Sequence, residues 1–468
     1  MSAVPMTPLD AAFLELEDAE PEVSMAIASV AVFAGPPPGF DAVAEHLAGR
    51  VPLIRRYRQK VRRVPLDLGP PVWVDDPAFD LRRHLVHVAL PAPGGDAELG
   101  DLVARVMATR LDRDRPLWRY WVVDGLAEER WALISQVHHC MVDGVSGTDL
   151  YGIVLDPGPD GPGPALPTPD HSPGVEPSSA ALVARAARDL VAMPVGIARG
   201  VGTLLARPRE GGRRVAALVR GGGALVAGLR PGGTSSLTGP RHRPRRYAVV
   251  RGRLDDVRAV RRRYGATVND VVLSAVTAGF RALLLARGEE PAPDLVRTLV
   301  PVSVRAPGDG PDGNRVSLLL PRLPVHVADP GERLAATVAE LTACKASHEA
   351  EAGAVLAEAA RLEPYPLVAR TVRWASRTDQ RAVVTVATDV PGPRQTLYYD
   401  GRELLELLPY VPIGSTAQIG ISIMTYRGAL ALGLTADESV DDLDVLREAI
   451  AAELPVLAGT GPVSAPRS

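Results

Sequence analysis

Cysteine is almost missing from this chain. Cys140 and Cys344 are its only two thiols, too few for a framework of bridges, which favours a reduced, cytosolic compartment over secretion. Lysine is equally scarce. Lys60 and Lys345 stand alone among 52 basic residues, the rest being arginine; with the abundance of Ala, Gly and Pro this reads as codon bias and carries no mechanism. Also lacking is a surplus of one charge sign. The 52 basic residues face 55 acidic ones, a formal net charge of −3, too balanced for the whole chain to be held on nucleic acid. The first twenty residues carry Asp10, Glu15, Glu17, Asp18 and Glu20 and no basic stretch followed by an apolar run, so no secretory signal is expected. No uninterrupted apolar run approaches the ~20 residues that span a bilayer. Contact with lipid would therefore be made from the surface.

What remains is ample material for folding. A length of 468 residues favours two large domains over one core, and 46% hydrophobic with 23% charged residues excludes a disordered or fibrous chain. Ser24 to Phe33, Tyr120 to Val123 and Trp131 to His139 read as strands, and Asp101 to Leu111 has helical spacing. From Asp156 to Pro177 Pro and Gly dominate, marking a linker. The segment from Ala180 to Arg246 then carries roughly thirteen Arg against two acids, a basic helical stretch that is either a solvated connector or a surface for anionic head groups. A second folded region begins near Tyr247. It holds a helix from Asn269 to about Arg287, strand-like runs at Leu295 to Val304 and Val316 to Val327, and a helix from Glu332 to about Ala350. Another helix follows Leu362, then strands at Ala382 to Thr388, Gln418 to Tyr426 and Ala429 to Thr435. The expected fold is mixed α/β (α+β) in two halves, residues 1–155 and 247–468, bridged by residues 156–246.

The chemistry concentrates in WALISQVHHCMVDGVSG, Trp131 to Gly147. Strand alternation sends His138 and His139 to opposite faces, so one imidazole is expected to meet substrate. A histidine at a strand end can take and return a proton near neutrality. Asp143, before the Gly144 turn, can fix the loop or the ring, and Ser146 with Asp149 fits a helix cap. The other histidines are scattered and supply no zinc-like spacing, so no metal is expected. Cys140 reads as a small packed residue, since no base is aimed at it.

HHCMVDG at His138 to Gly144 resembles the HHxxxDG signature of the superfamily that includes chloramphenicol acetyltransferase and peptide-synthetase condensation domains. More specifically, the chain resembles the bacterial wax ester synthase/diacylglycerol acyltransferases nearly end to end. It carries PMTPLDAAFLELED from Pro5, PLW at Pro116, Leu117 and Trp118, TVNDVVLSAV from Thr267, and PVSVR ending at Arg305. Gly313 with Asn314, DVPGP from Asp389 and TYRGAL from Thr425 complete the set. Three positions depart from the common pattern: Asp389 replaces Asn before VPGP, Thr238 replaces Asn before Gly239 and Pro240, and Thr425 replaces Ser.

The resemblance implies two chloramphenicol acetyltransferase-like subdomains with a tunnel between them and His139 near its middle. His139 would be the general base that deprotonates an alcohol as it attacks a fatty acyl-CoA thioester, with no acyl-enzyme. His138, Asp143 and Gly144 would complete the motif, Asp143 shaping the loop, with Arg305 as a candidate partner. Asn269 would orient substrate. Asp270 has a structural alternative, because Thr267 and Asp270 fit a capping box. Pro116, Leu117 and Trp118 are carried over as substrate-side residues, with anchoring of the approach to the catalytic strand favoured for Pro116 and Trp118. Gly392 is expected at the channel rim, and Thr425 is carried over with it. No cofactor is implied beyond acyl-CoA as co-substrate. Diacylglycerol or a long-chain alcohol would be the acceptor, the location cytoplasmic or peripheral on the inner membrane face or lipid droplets. A carrier-protein-dependent acyltransferase and a non-catalytic lipid-binding relative are the competing readings.

Overall fold

Period-two apolar patterning builds the first of two six-stranded sheets, and it draws on both ends of the chain. In the computed structural model, which describes residues 3–142, 147–161, 174–206, 233, 235–239, 242, 244–303, 316–346, 364–376, 382–414 and 417–459, strand β2 (Ala26–Ala34) runs antiparallel to β7 (Arg130–His138), with Ala26 opposite His138. Beyond β7 lie β6 (Trp118–Leu126), antiparallel to it, and β5 (Leu85–Ala89), parallel to β6. On the other flank of β2 the sheet is continued by β13 (Arg402–Tyr410) and edged by β12 (Tyr398–Tyr399). Strands from beyond residue 390 thus complete the N-terminal sheet, and the expected boundary at 247 is a division of sequence that the fold crosses. The stretch Arg402 to Leu408 is Arg-Glu-Leu-Leu-Glu-Leu-Leu, a run of helix formers with no strand signal; pairing to β2 overrides that propensity.

The second sheet has the order β10 (Val316–Leu319), β9 (Thr298–Ser303), β11 (Thr385–Pro391), β14 (Ile419–Tyr426), β15 (Ala429–Asp437), β8 (Arg245–Arg253). Strand β11 is parallel to both neighbours and the remaining pairs are antiparallel, a mixed sheet. β10 ends at Leu319, well short of the run expected to reach Val327, because Pro321 and Pro324 cannot donate to a ladder. β14 and β15 are joined through Arg427 and Gly428, both at positive φ (48° and 85°), as a two-residue hairpin turn with strand-matching twist requires. A third, small sheet joins β1 (Val4–Pro5), β4 (Val72–Asp75) and β3 (Gln59–Arg62).

Helices cover these sheets: α1 (Pro8–Ala19), α2 (Phe40–Arg50), α3 (Asp96–Ala108), α4 (Gly147–Val154), α5 (Ser179–Ala206), α6 (Leu254–Tyr264), α7 (Val268–Ala286), α8 (Pro330–Ala346), α9 (Tyr365–Ser376) and α10 (Leu443–Ala458). Helix α7 is long and apolar enough to cross a bilayer, but 72% of that stretch is buried. It is the core helix of the second half, packed on α10 and α8. Phe33, Trp118, Trp131 and Tyr399 centre the first core and Phe280, Leu283, Ile421 and Leu432 the second.

The halves meet at the carbonyl of Pro409 in β13. Tyr247 Oη of β8 and Ser422 Oγ of β14 both donate to it at 2.9 Å. Gly433 of β15 lies so close that a Cβ there would stand 1.8 Å from the same oxygen. Replacing it forces backbone apart, so Gly433→Ala should lower unfolding free energy by about 1–3 kcal/mol, read as a reduced midpoint in urea denaturation.

Candidate active site

Helix α1 is started by Thr7, whose Oγ1 accepts from the Asp10 backbone N–H at 3.2 Å, and by Pro8 in its first turn. Its next turns carry Phe13 and Glu17, four residues apart and so on one face. That face packs against the short 3₁₀ turn His139–Met141 at the end of β7. Strand β7 ends one residue earlier than its pattern suggests, and His139 begins the turn instead of ending the ladder.

The two histidines are held in different ways. His138 is 1% exposed. Its backbone N–H donates to Leu117 O at 2.9 Å, and its Nδ1 accepts from Cys140 N–H at 3.2 Å. Nδ1 being an acceptor, the ring proton belongs on Nε2, which faces Glu17 Oε2 at 3.4 Å. Burial pushes the His138 pKa down against the pull of Glu17, which leaves the ring neutral. Glu17 is itself buried, which alone would raise its carboxyl. The hydrogen bond from the His138 ring, the ion pair with Arg113 and the Met25 N–H outweigh this and hold it at about 2. A neutral His138 contributes as a hydrogen-bond partner, so Arg113 is the full charge that balances Glu17.

His139 donates its backbone N–H to Met25 O at 2.9 Å and stacks its ring on Phe13, centroids 3.9 Å apart. The ring is largely buried with a partly exposed edge, and its hydrogen bond within the described residues is to its own backbone. Burial, then the proximity of His138, lowers its pKa to about 4. It is therefore an unprotonated imidazole at neutral pH with a free lone pair. The neighbouring Cys140 is fully buried and its thiol is pushed well up by burial and by Asp10, which removes it as a nucleophile.

The remaining expected residues are placed differently from one another. Asp143, Gly144, Ser146 and Arg305 lie outside the described residues. Leu117 and Trp118 do not face substrate: both are sealed in the core, Trp118 donating Nε1–H to Tyr57 O at 2.8 Å and stacked between Tyr57 and His84. Their place in the site is indirect, since the Leu117 carbonyl fixes the His138 backbone, and Pro116 is buried beside them. Asp270 is the cap partner of Thr267, accepting its N–H at 2.7 Å while Thr267 Oγ1 accepts from Asp270 N–H, so its role is structural. Asn269, in the same first turn of α7, is partly buried, and its side chain makes no hydrogen bond to another described residue. Gly392 follows β11, where a Cβ would lie 2.0 Å from Thr425 O, so these two residues touch each other. Phe13, Glu17 and Met25 belong to the site and were not singled out by sequence. The signal available was an acidic residue at helical spacing from an aromatic one, on a helix face that must be apolar to pack.

Two family descriptions match the chain: wax ester synthase/diacylglycerol acyltransferase catalytic domain over residues 6–272, and the C-terminal domain of the same group over 312–458. The chain belongs to the wax ester synthase/diacylglycerol acyltransferase family. A probable diacylglycerol O-acyltransferase of Mycobacterium tuberculosis is 39% identical over 436 residues, 93% of this chain and 91% of that one. The solved wax ester synthase/diacylglycerol acyltransferase from Marinobacter aquaeolei VT8 superposes with a TM-score of 0.64 at 25% identity, covering 97% of this chain and all of that one. The first condensation domain of the calcium-dependent antibiotic synthetase shares the fold, with a TM-score of 0.62 at 16% identity over 99% of this chain and 98% of that domain. This member of the family thus places its two histidines at the junction of β7 and α1.

Removing the carboxylate leaves the buried Met25 N–H unpaired and Arg113 with Asp18 alone. Glu17→Ala should cost about 1–3 kcal/mol of stability, measurable by denaturant unfolding. The stability due to Glu17 should be present above pH ~4.5 and lost as pH falls toward about 2, because its folded pKa lies below the unfolded one.

Proposed function

We propose that the chain moves a long-chain fatty acyl group from acyl-CoA to the hydroxyl of diacylglycerol, with a long-chain alcohol as a second acceptor, and that His139 is the general base. The observation that carries this reading is the neutral imidazole of His139, largely buried but with a partly exposed edge, held by its own backbone and stacked on Phe13.

The chemistry follows from that ring. An unprotonated nitrogen takes the proton of the acceptor hydroxyl as its oxygen attacks the thioester carbonyl. The tetrahedral intermediate collapses, the carbon–sulfur bond breaks, and the imidazolium returns the proton to the departing CoA sulfur. The transfer is direct, in keeping with a Cys140 thiol too deeply buried and too weakly acidic to carry an acyl group. A pKa of about 4 makes His139 a weak base in the ground state, and hence a strong acid once protonated, which helps expel the thiolate. Positioning of two substrates and stabilisation of the oxyanion must supply the rest of the rate. The unbonded amide of Asn269 is the described group suited to orienting substrate. The substrates would enter from opposite ends of a passage between the two sheets, which limits water as a competing acceptor. The protein would act in the cytoplasm, peripherally at the inner membrane face or a lipid droplet.

His139→Ala should lower acyl transfer from palmitoyl-CoA to dioleoylglycerol by about 10²–10⁴-fold, followed as labelled triacylglycerol, with wax ester formation from hexadecanol falling in parallel. Unchanged product formation would overturn the reading. In the wild type, kcat/KM should hold constant as pH is lowered through 6.5 and fall only as the ring protonates near about 4. A limb centred at 6.5 would point to a different base.

A further inference from the structure

The proposed reaction leaves one cavity of the molecule unused. With a volume of about 270 Å³, it lies between the small sheet β1–β4–β3, helix α5 and helix α9. Val64, Leu68, Val72, Leu182, Met193 and Val368 give it apolar walls, while Arg185 and Asp189 of α5 stand as its charged members. The space falls just below the ~300–1,000 Å³ of drug-sized ligand sites, which suits one alkyl chain and excludes a whole diacylglycerol.

The rim of this cavity is apolar as well. Leu66 is 87% exposed, Val191 80%, Trp374 70% and Leu367 52%. These four side chains come from three separate elements that wall the same cavity. Leu66 sits between the lining residues Val64 and Leu68, Val191 follows Leu190, and Leu367 precedes Val368. Asp67 accepts from Arg373 Nη2 at 2.7 Å, so their sequence neighbours Leu66 and Trp374 flank one junction. The turn bearing Leu66 contacts both α5 and α9. Single exposed leucines need no explanation, but large apolar side chains gathered around an apolar hole mark an interaction face.

Charge indicates what the face meets. Helices α5 and α9, which wall the cavity, together carry five Arg against one acid, Asp189, a balance suited to anionic head groups. Apolar side chains beside a basic segment are how a protein lies on a lipid surface without spanning it.

We propose that the cavity and its rim form an interfacial lipid site, in which Leu66, Val191, Leu367 and Trp374 dip into a phospholipid surface and the cavity receives one alkyl chain of a lipid from it. The site rests on the proposed lipid acceptor for its use, since diacylglycerol is met only in such surfaces. It also adjoins the chemistry. Pro8 of α1 and Tyr365 of α9 line the cavity, Tyr365 Oη donates to Glu15 of α1 at 2.8 Å, and Phe13 of the same helix stacks on His139. One helix separates an alkyl chain held there from the reacting imidazole.

The test uses the full chain without acyl-CoA. Flotation with vesicles of phosphatidylcholine and phosphatidylglycerol is compared for the wild type and a triple variant, Leu66→Asp, Leu367→Asp and Trp374→Asp; these side chains are exposed, so the melting temperature should be kept. The wild type should float, and the triple variant should partition at least about tenfold less. Ala186→Phe and Val368→Trp fill the cavity from opposite walls, and each should bind one equivalent fewer of parinaric acid, a fluorescent fatty-acid probe, than the wild type. The proposal is overturned if the triple variant floats like the wild type, or if both filled variants that keep their melting temperature bind as many equivalents. It is likewise overturned if the wild type dimerises through this face, the triple variant is a monomer, and neither floats. Neither readout needs turnover. A wild type that floats and binds the probe but transfers no acyl group would sink the proposed reaction and leave this site standing.

Discussion

The carboxylate of Glu17 makes two adjacent histidines unlike each other. Leaving a charge in a packed interior is costly unless it is paired and hydrogen-bonded, and here Arg113, the Met25 N–H and the Nε2 side of His138 surround it. The geometry propagates from that point. With Nε2 turned to Glu17, Nδ1 of His138 is left to accept the Cys140 N–H, and the chain bends into a 3₁₀ turn. The same Met25 that donates to Glu17 accepts the His139 N–H, so the carboxylate locates both histidines through one intermediate residue. A hydrophobic replacement of the cluster could be as stable, but it would not specify which ring is buried and which is free.

Helix α1 also ties this arrangement to the rest of the molecule. Glu15, buried on another face of the helix, accepts from Arg63 at 2.9 Å, from Tyr365 at 2.8 Å and from Arg373 at 2.6 Å. Two of those donors belong to α9, far along the chain. A further tie comes from β13, which is hydrogen-bonded into the first sheet while its Pro409 carbonyl receives donors from the second. The proposed transfer would gain from this stitching, because a base misplaced by an ångström loses much of the advantage of proximity.

Local patterning made much of this legible. The strands around the histidine motif, the Thr267 to Arg287 helix and the β14–β15 pair follow from alternation, capping and turn chemistry, all of which act over a few residues. The distinction between His138 and His139 also followed from strand alternation, although His139 turned out to lie one step past the strand. What the sequence hid depends on distant partners. Nothing local says that a leucine- and glutamate-rich run at 402–408 pairs with β2, that Trp118 is clamped between Tyr57 and His84, or that Glu17 reaches the end of a strand more than a hundred residues on. Asp270 was ambiguous for a related reason: an acid at a helix start serves the cap and a substrate equally well until its bonds are seen.

The positions where this chain departs from the common family pattern divide by whether the side chain or the backbone does the work. Thr425 offers Gly392 its carbonyl, a group that serine supplies equally, so the exchange of Ser for Thr leaves the contact at the end of β11 intact. Gly392 has no such latitude, because any side chain would meet that oxygen. Thr238 likewise engages through its backbone, as an isolated bridge to Ala417. Asp389 is different, since its side chain is exposed on β11 yet sits among enough protein for burial to raise its carboxyl. A raised carboxyl is a less stable anion than a free one, so this exchange of Asn for Asp is the one of the three that introduces a charge which its surroundings disfavour. Any difference this member shows toward acceptors should trace to residue 389 before 238 or 425, because only there does the exchange change the formal charge of an exposed side chain.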